Sequence, residues 1–305
     1  MNDFYIDESV CSCVFKEMMP CFHLWTSEKC EVIFRTEDEF RAGMNIIGIC
    51  AKLFPEIRII TFEVMSNHLH LTVSGAEDTA LAYFETIKKF LMRHFRKLGR
   101  CIDWTGFNVG IREVLTLEDL RNVIVYNNRN GFVISKGYTP FSYPWGANRY
   151  YFCPDSVALA KLLSHQSTQR ERQNAINSRI ADNIDGLTMF EGSICPLSFC
   201  DITSGQKIFR GASHYFNKLG KSIENQKEIA KEISESIYYT DDELFSAITA
   251  IARKKYNISS LKEAESMVKL DLARTMKFEY NATAKQIARF LKISETTLSS
   301  MGILH

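Results

Sequence analysis

The sequence predicts an α+β protein, with helices layered over an antiparallel sheet to about residue 152 and an all-helical region after it. Three observations carry this expectation. Short β-like runs alternate with runs of helical periodicity from Cys21 to Tyr151. One of these stretches, RIITFEVMSNHLHLTVS, divides at a Ser-Asn turn into two strands. Beyond Pro154 the β-like runs give way to helical ones.

Taken in order, Phe22–Thr26 (FHLWT) and Glu31–Thr36 (EVIFRT) read as strands. A helix follows from Glu37, which opens an acidic first turn, to about Leu53. Arg58–Ser74 supplies the paired strands, and a second helix runs from Thr79 to Leu98. Ile102–Val114 is again β-like, and a third helix runs from Leu117 towards Asn130. The polar stretch 164–183 reads as a linker helix or a solvated face, and Asp185-Gly186 as a turn.

At the end of the chain, Thr283 can cap a helix AKQIARFL. After a turn at Lys292-Ile293, Ser294 can cap a second helix, ETTLSSM. This spacing, about 283–301, suits a helix-turn-helix, with Glu295, Thr296, Thr297 and Ser299 on the leading turn of the recognition helix. Two helices that merely close a bundle would look the same. The expected division is therefore 1–152 and 153–305.

Apolar residues make up 46% of the 305 and charged residues 24%, enough to build cores and exclude disorder as the main state. Thirty-seven Lys and Arg against 36 Asp and Glu leave a charge of +1, so any nucleic-acid binding must come from a local patch. No apolar run approaches a membrane span. The opening MNDFYIDESV is acidic where a secretory signal would be basic and then apolar, so a cytoplasmic protein is expected. Cys11, Cys13, Cys21 and Cys30 lack the paired spacing of a structural zinc site, and reduced thiols are the simpler reading.

The sharpest local signal is Asn67-His68-Leu69-His70-Leu71. On a strand, two histidines at i and i+2 share a face, and a rigid pair of imidazoles can hold a metal. Taken alone, such a pair is more often structural. On the third helix, Tyr126 and Asn130 lie four residues apart and share a face. Asn130 can complete a His-His-Asn metal site with Tyr126 one turn back. A divalent cation there would polarise a phosphodiester and offset the charge built up as a tyrosine attacks. Lys88, Lys89, Arg93, Arg96, Lys97 and Arg100 cluster along the second helix, either as a phosphate-contacting stripe or as a solvated face. Tyr138, Phe141, Tyr143 and Trp145 can stack on bases or pack the tyrosine-bearing helix.

These motifs carry a resemblance. FEVMSNHLHLTVSG is similar to the His-hydrophobic-His motif of HUH-type tyrosine transposases, especially the REP-associated branch, where the run reads like VMPNHVHLLV. YNNRNGFV resembles that family's YIHRNPVR, and Tyr143-Pro144-Trp145 with Arg149 resembles its closing YPWSSYR. FHLWTS resembles its opening strand, so four landmarks fall in order over roughly residues 20–152. Gly131 stands where the family has proline after the asparagine, and Ser66 where it has proline before Asn67. A register anchored on Gly131 would instead bring Asn122 to the nucleophile position, giving an inactive relative. The preferred register keeps both Tyr126 and Asn130.

The resemblance implies a ferredoxin-like catalytic domain followed by a helical domain. It implies a DNA transposase that cuts and rejoins single-stranded, hairpin-forming DNA. In that chemistry Tyr126 is the nucleophile and forms a 5′-phosphotyrosine, while His68, His70 and Asn130 hold Mg2+ or Mn2+. A homodimer is one assembly open to it, and no membrane partner is expected. The rival expectation is a domesticated protein that binds DNA hairpins without cutting them. An RNA-binding sheet is the weaker alternative, for want of an aromatic RNP-like run.

Overall fold

Residue Cys21 begins the first strand of a mixed helix-and-sheet unit, seen in a computed structural model that describes residues 5–26, 32–134, 138, 142–176, 179–182, 184–224, 241–258, 261, 264–280 and 282–300. The chain divides into two compact units, Met1–Glu235 and Ser236–His305. The α+β class expected from the sequence is observed.

In the first unit, helix α1 (Glu8–Met18), capped by the Asp7 side chain, precedes strand β1 (Cys21–Thr26). Helix α2 (Glu37–Leu53) follows, opened by a reciprocal capping box between Thr36 and Glu39. Strands β2 (Arg58–Val64) and β3 (Leu69–Ser74) form the expected hairpin, closed by Met65 N–H donating to His68 O at 2.9 Å. Helix α3 (Glu77–Lys97), strand β4 (Val109–Val114) and helix α4 (Leu117–Ile134) complete the motif. All strand pairings in this sheet are antiparallel, in the order β2-β3-β1-β4.

Register sorts the side chains into two faces. Phe62, Leu71, Leu24 and Ile111 form one row, and Val64 opposes Leu69. This apolar face receives α2, since a Cβ on Gly43 would lie 3.2 Å from Val64 Cγ1. Helix α3 packs beside α2, with Tyr83 Oη donating to Ile47 O. The other face carries the rows Gly110–Trp25–His70–Glu63 and Arg112–His23–Thr72–Thr61. It is covered by α4.

Several expectations need correction. Glu31–Thr36 is not a strand where it is described: Ile33 and Phe34 donate their N–H groups to Ser66 O instead of joining a ladder. Only Val109–Val114 of the β-like run 102–114 enters the sheet. Strands also persist beyond residue 154. Helix α5 (Pro154–Leu163) leads to β5 (His165–Gln166), α6 (Gln169–Ile176), β6 (Thr188–Phe190) and β7 (Ser193–Ile194), and the three strands form a small antiparallel sheet.

Helices α7 (Ile202–Lys207) and α8 (Ala212–Glu224) then return to the main sheet and to α4. Asp201 N–H donates to Ile59 O at 2.7 Å, and Tyr151 Oη to Ile60 O at 2.7 Å. The expected boundary at 152/153 thus falls inside the first unit. The edge of β2 and the outer side of α4 bind the chain that follows, so the first fold continues well past it.

The second unit is helical. Helices Asp241–Tyr256, Ser266–Arg274, Ala284–Leu291 and Glu295–Ser300 surround a core that includes Leu244, Ile248, Leu272, Met276, Ile287 and Leu291. Thr283 caps the third of these with a capping box, Lys292 ends it at φ +53°, and Ser294 caps the last. These are the caps and the turn expected from the sequence. No helix among the described residues is long and apolar enough to cross a membrane.

Candidate active site

A sheet face covered by a helix is ordinarily apolar, because burying polar groups costs free energy unless each finds a partner. The face under α4 breaks that rule. His23, Thr61, Glu63, His70 and Thr72 lie on it, all at most 1% exposed. Helix α4 answers with polar groups of its own. Asn127 Nδ2 donates to Thr72 Oγ1 at 2.9 Å, Thr61 Oγ1 donates to Asn128 Oδ1, and Arg112 grips Asp119 through two bonds of 2.8 Å. The run Tyr126-Asn127-Asn128-Arg129-Asn130 is therefore turned into the protein.

Tyr126 sits over the histidines. Its ring lies edge-on to His70 with centroids 5.7 Å apart and edge-on to His23 at 6.3 Å. His68, on the residue just before β3, lies edge-on to His70 at 4.7 Å. The expected pair thus comes together at the mouth of the β2–β3 hairpin. Asn130, one turn beyond Tyr126, is 7% exposed, and its Nδ2 is buried without a hydrogen-bond partner.

The imidazoles are in the form a ligand needs. His68 Nδ1 lies 2.6 Å from Asn67 Oδ1. A carbonyl oxygen there makes Nδ1 the protonated nitrogen and leaves Nε2 with its lone pair. Burial pulls the His68 imidazole down to about 4. His70 is held well below the ordinary range by burial, then by His68, His23 and Arg129. Both are neutral at pH 7. Among the described residues no three His, Cys, Asp or Glu side chains converge to hold a metal, so a third donor here would be the amide of Asn130.

Three groups in the site were not singled out from the sequence. His23 stacks parallel to His70 at 5.9 Å, and burial pulls it down to about 3. The Arg129 guanidinium lies 4.5 Å from the centre of the Tyr126 ring and donates to Ser222 O at 2.9 Å. Glu63, opposite His70 in the ladder, accepts from Gly131 N–H at 2.6 Å, while its Oε2 has no partner. Burial pushes the Glu63 carboxyl well above the usual carboxylate range. Its signal was a carboxylate among the apolar residues of the strand RIITFEV, two positions from Thr61 on what proves to be the polar face.

Comparison with known proteins returned nothing. No protein-family model matches the chain, and neither the curated proteins nor the solved structures contain a significant match.

The remaining sequence candidates fall into three groups. Lys89, Arg93, Arg96 and Lys97 are exposed on α3, in the helix layer opposite α4, and half-buried Lys88 donates to Asn108 at 3.1 Å. Arg100 is different: its guanidinium donates to Glu39 and Ile33 O at 2.6 Å and to Val32 O at 3.2 Å, which makes it a clamp on the chain before α2. Since Ile33 and Phe34 bind Ser66 O, this clamp also places the C-terminal end of α3 at the same end of the sheet as the His68 turn. Thr297 and Ser299 lie on the last helix, Ser299 exposed and Thr297 half-buried. For Glu295 and Thr296 the side chains lie outside the described residues. Tyr143 packs against Gly131 and Tyr138 and so closes on α4, while Phe141 lies outside the described residues.

Proposed function

We propose that the protein is a metal-dependent single-strand DNA endonuclease and transposase, with Tyr126 as nucleophile. The observation that carries the reading is the placement of Tyr126 edge-on to His70, within a buried polar seam that no packing requirement explains. The strand order β2-β3-β1-β4, with helices between β1 and β2 and between β3 and β4, supports a ferredoxin-like catalytic fold. The two capped helices at 284–300 support a helix-turn-helix that selects the DNA.

Two neutral imidazoles fit a divalent ion such as Mg2+ or Mn2+, which His68 and His70 would hold together with the carbonyl oxygen of Asn130. When bound, the ion would polarise the scissile phosphate. The chain's own residues do the rest. Asn67 orients His68, and α4 holds Tyr126 at the histidines through the Asn127–Thr72 and Gly131–Glu63 bonds. Once the site has opened, Tyr126 Oη attacks phosphorus and loses its proton to water. The bond from phosphorus to the 3′ oxygen breaks and that oxygen takes a proton from water, leaving a 5′-phosphotyrosine and a free 3′ hydroxyl. That hydroxyl can reverse the step on another phosphotyrosine, so strands rejoin without an external energy source. The Arg129 guanidinium, 4.5 Å from the centre of the Tyr126 ring, supplies a fixed positive charge beside that side chain.

One observation favours a second reading. Tyr126, His68, His70 and Asn130 are all at most 9% exposed, so a phosphodiester reaches them only after a change of conformation. A protein that binds hairpins without cutting them needs no such opening. Incubation with labelled DNA hairpins and Mn2+, followed by a denaturing gel, separates the two: the nuclease gives a covalent adduct and the binder gives none.

A further inference from the structure

The segment beyond residue 152 does more than cover the edge of the sheet. Arg210 just before helix α8, and His214, Lys218 and Lys221 on it, lie against the first turns of α4, beside the buried Arg121. Between them lies an open cleft of about 520 Å3, whose remaining walls are Glu8, Glu118 and Asn217. Four permanent cations face two carboxylates there, an excess of two positive charges in a chain whose whole net charge is +1. The carboxylates are already engaged. Glu8 takes both terminal nitrogens of Arg121, at 2.7 and 2.9 Å, and Glu118 pairs with Lys218. Lys221 is exposed and makes no hydrogen bond or ion pair among the described residues, and the Arg210 guanidinium meets only Glu8, at 4.0 Å.

The balance of the field is positive even beside those carboxylates. The His214 imidazole is held below its ordinary value by burial and then by Arg121, Arg210 and Lys218, with Glu118 acting in the opposite sense. Arg121 and Tyr126 are five positions apart on the same helix, about 7.5 Å along its axis and about 140° around it, so the cleft opens on a different face of α4 from the one that holds Tyr126 against the histidines.

We propose that the α4–α8 cleft binds the sugar–phosphate backbone of the DNA hairpin, apart from the bond that is cut, with Arg210 and Lys221 as its phosphate contacts. This rests on the nuclease reading of Tyr126. It also gives a role to chain beyond residue 152, where the resemblance ends. The contacts are to phosphates, so they position the strand and carry no sequence preference.

The test is the affinity of the full-length protein for a fluorescent single-stranded DNA hairpin in EDTA, titrated at several salt concentrations. Lys221→Glu and Arg210→Glu are compared with Lys161→Glu, an exposed lysine on α5 that changes net charge equally. Each cleft variant should bind about five- to tenfold more weakly at low salt, and its log–log salt dependence should be shallower by about 0.7 for each phosphate no longer neutralised. Lys161→Glu should remain within about twofold of the parent protein. Equal losses in all three variants, or none in any, would overturn the proposal. Adduct formation with Mn2+ is read separately. Loss of binding in the cleft variants with no adduct from the parent protein would keep the cleft and remove the nuclease. An adduct from the parent protein with unchanged binding in the variants would do the reverse.

Discussion

Gly131 and Glu63 meet where α4 crosses the edge of the sheet: the glycine N–H donates to Glu63 Oε1 at 2.6 Å, and the Tyr143 ring lies directly against its α-carbon. A Cβ at this position would collide with both the ring and the carboxyl. A proline here would remove the donor and leave the buried carboxyl without its bond. Gly131→Pro should therefore destabilise the first unit by about 3 kcal/mol or more. Urea denaturation checks this, and an unchanged midpoint would show that Glu63 does not hold the helix.

Arg100 should behave as a structural residue, unlike its neighbours on α3. Its bonds to Glu39, Ile33 O and Val32 O fix the chain leading into α2. Arg100→Ala should cost about 1–3 kcal/mol of stability. Arg93→Ala or Arg96→Ala, both exposed, should change stability by less than about 0.5 kcal/mol. Thermal melts of the three variants separate the clamp from the stripe.

Stability should fall in mild acid. His68 and His23 have folded values of about 4 and 3, and His70 is also depressed, against an unfolded value of about 6.5. Between those limits the unfolded chain binds more protons, so stability rises with pH. The contributions of His68 and His23 are complete above about pH 6.5 and each declines by about 2 kcal/mol at pH 5, and His70 acts in the same direction. Glu63, whose folded value is raised, works in the opposite direction, but it is one group against three. Denaturation at pH 7 and pH 5 should show the loss, and His23→Gln should flatten it. A flat profile in the parent protein would mean that the histidines are solvated.

The second unit depends on its caps. Thr283→Ala removes the half of the capping box in which Thr283 Oγ1 accepts from Gln286 N–H, keeps the backbone half, and should cost about 1 kcal/mol. DNA affinity should be retained if the cap only stabilises the helix. Circular dichroism and a binding titration of the same variant report the two effects.

How much of this was legible depended on whether the signal was local. Helix α2 announced itself through its acidic first turn, and the β2–β3 hairpin through its turn and its alternation. Tyr126 and Asn130 could be placed together because helical spacing is fixed. His23 and Glu63 could not be, because their neighbourhood with His70 depends on cross-strand register. Val32-Ile33-Phe34 has a strand's composition, but its hydrogen bonds are made to Ser66 and Arg100, far along the chain. Strands β5 to β7 are two or three residues long, too short for a period to show. The boundary was misplaced because nothing in residues 154–224 says that Asp201 and Tyr215 will bind the earlier fold.

Everything proposed for the site turns on Tyr126 carrying the covalent chemistry. The protein would be incubated with a single-stranded hairpin and Mn2+, digested with trypsin and nuclease, and searched by mass spectrometry for a nucleotide-bearing peptide. The expected product is a phosphonucleotide on the peptide Asn122–Arg129, on Tyr126, that disappears in Tyr126→Phe and His68→Ala. An adduct on any other residue, or none with hairpins that the protein binds tightly, would contradict it.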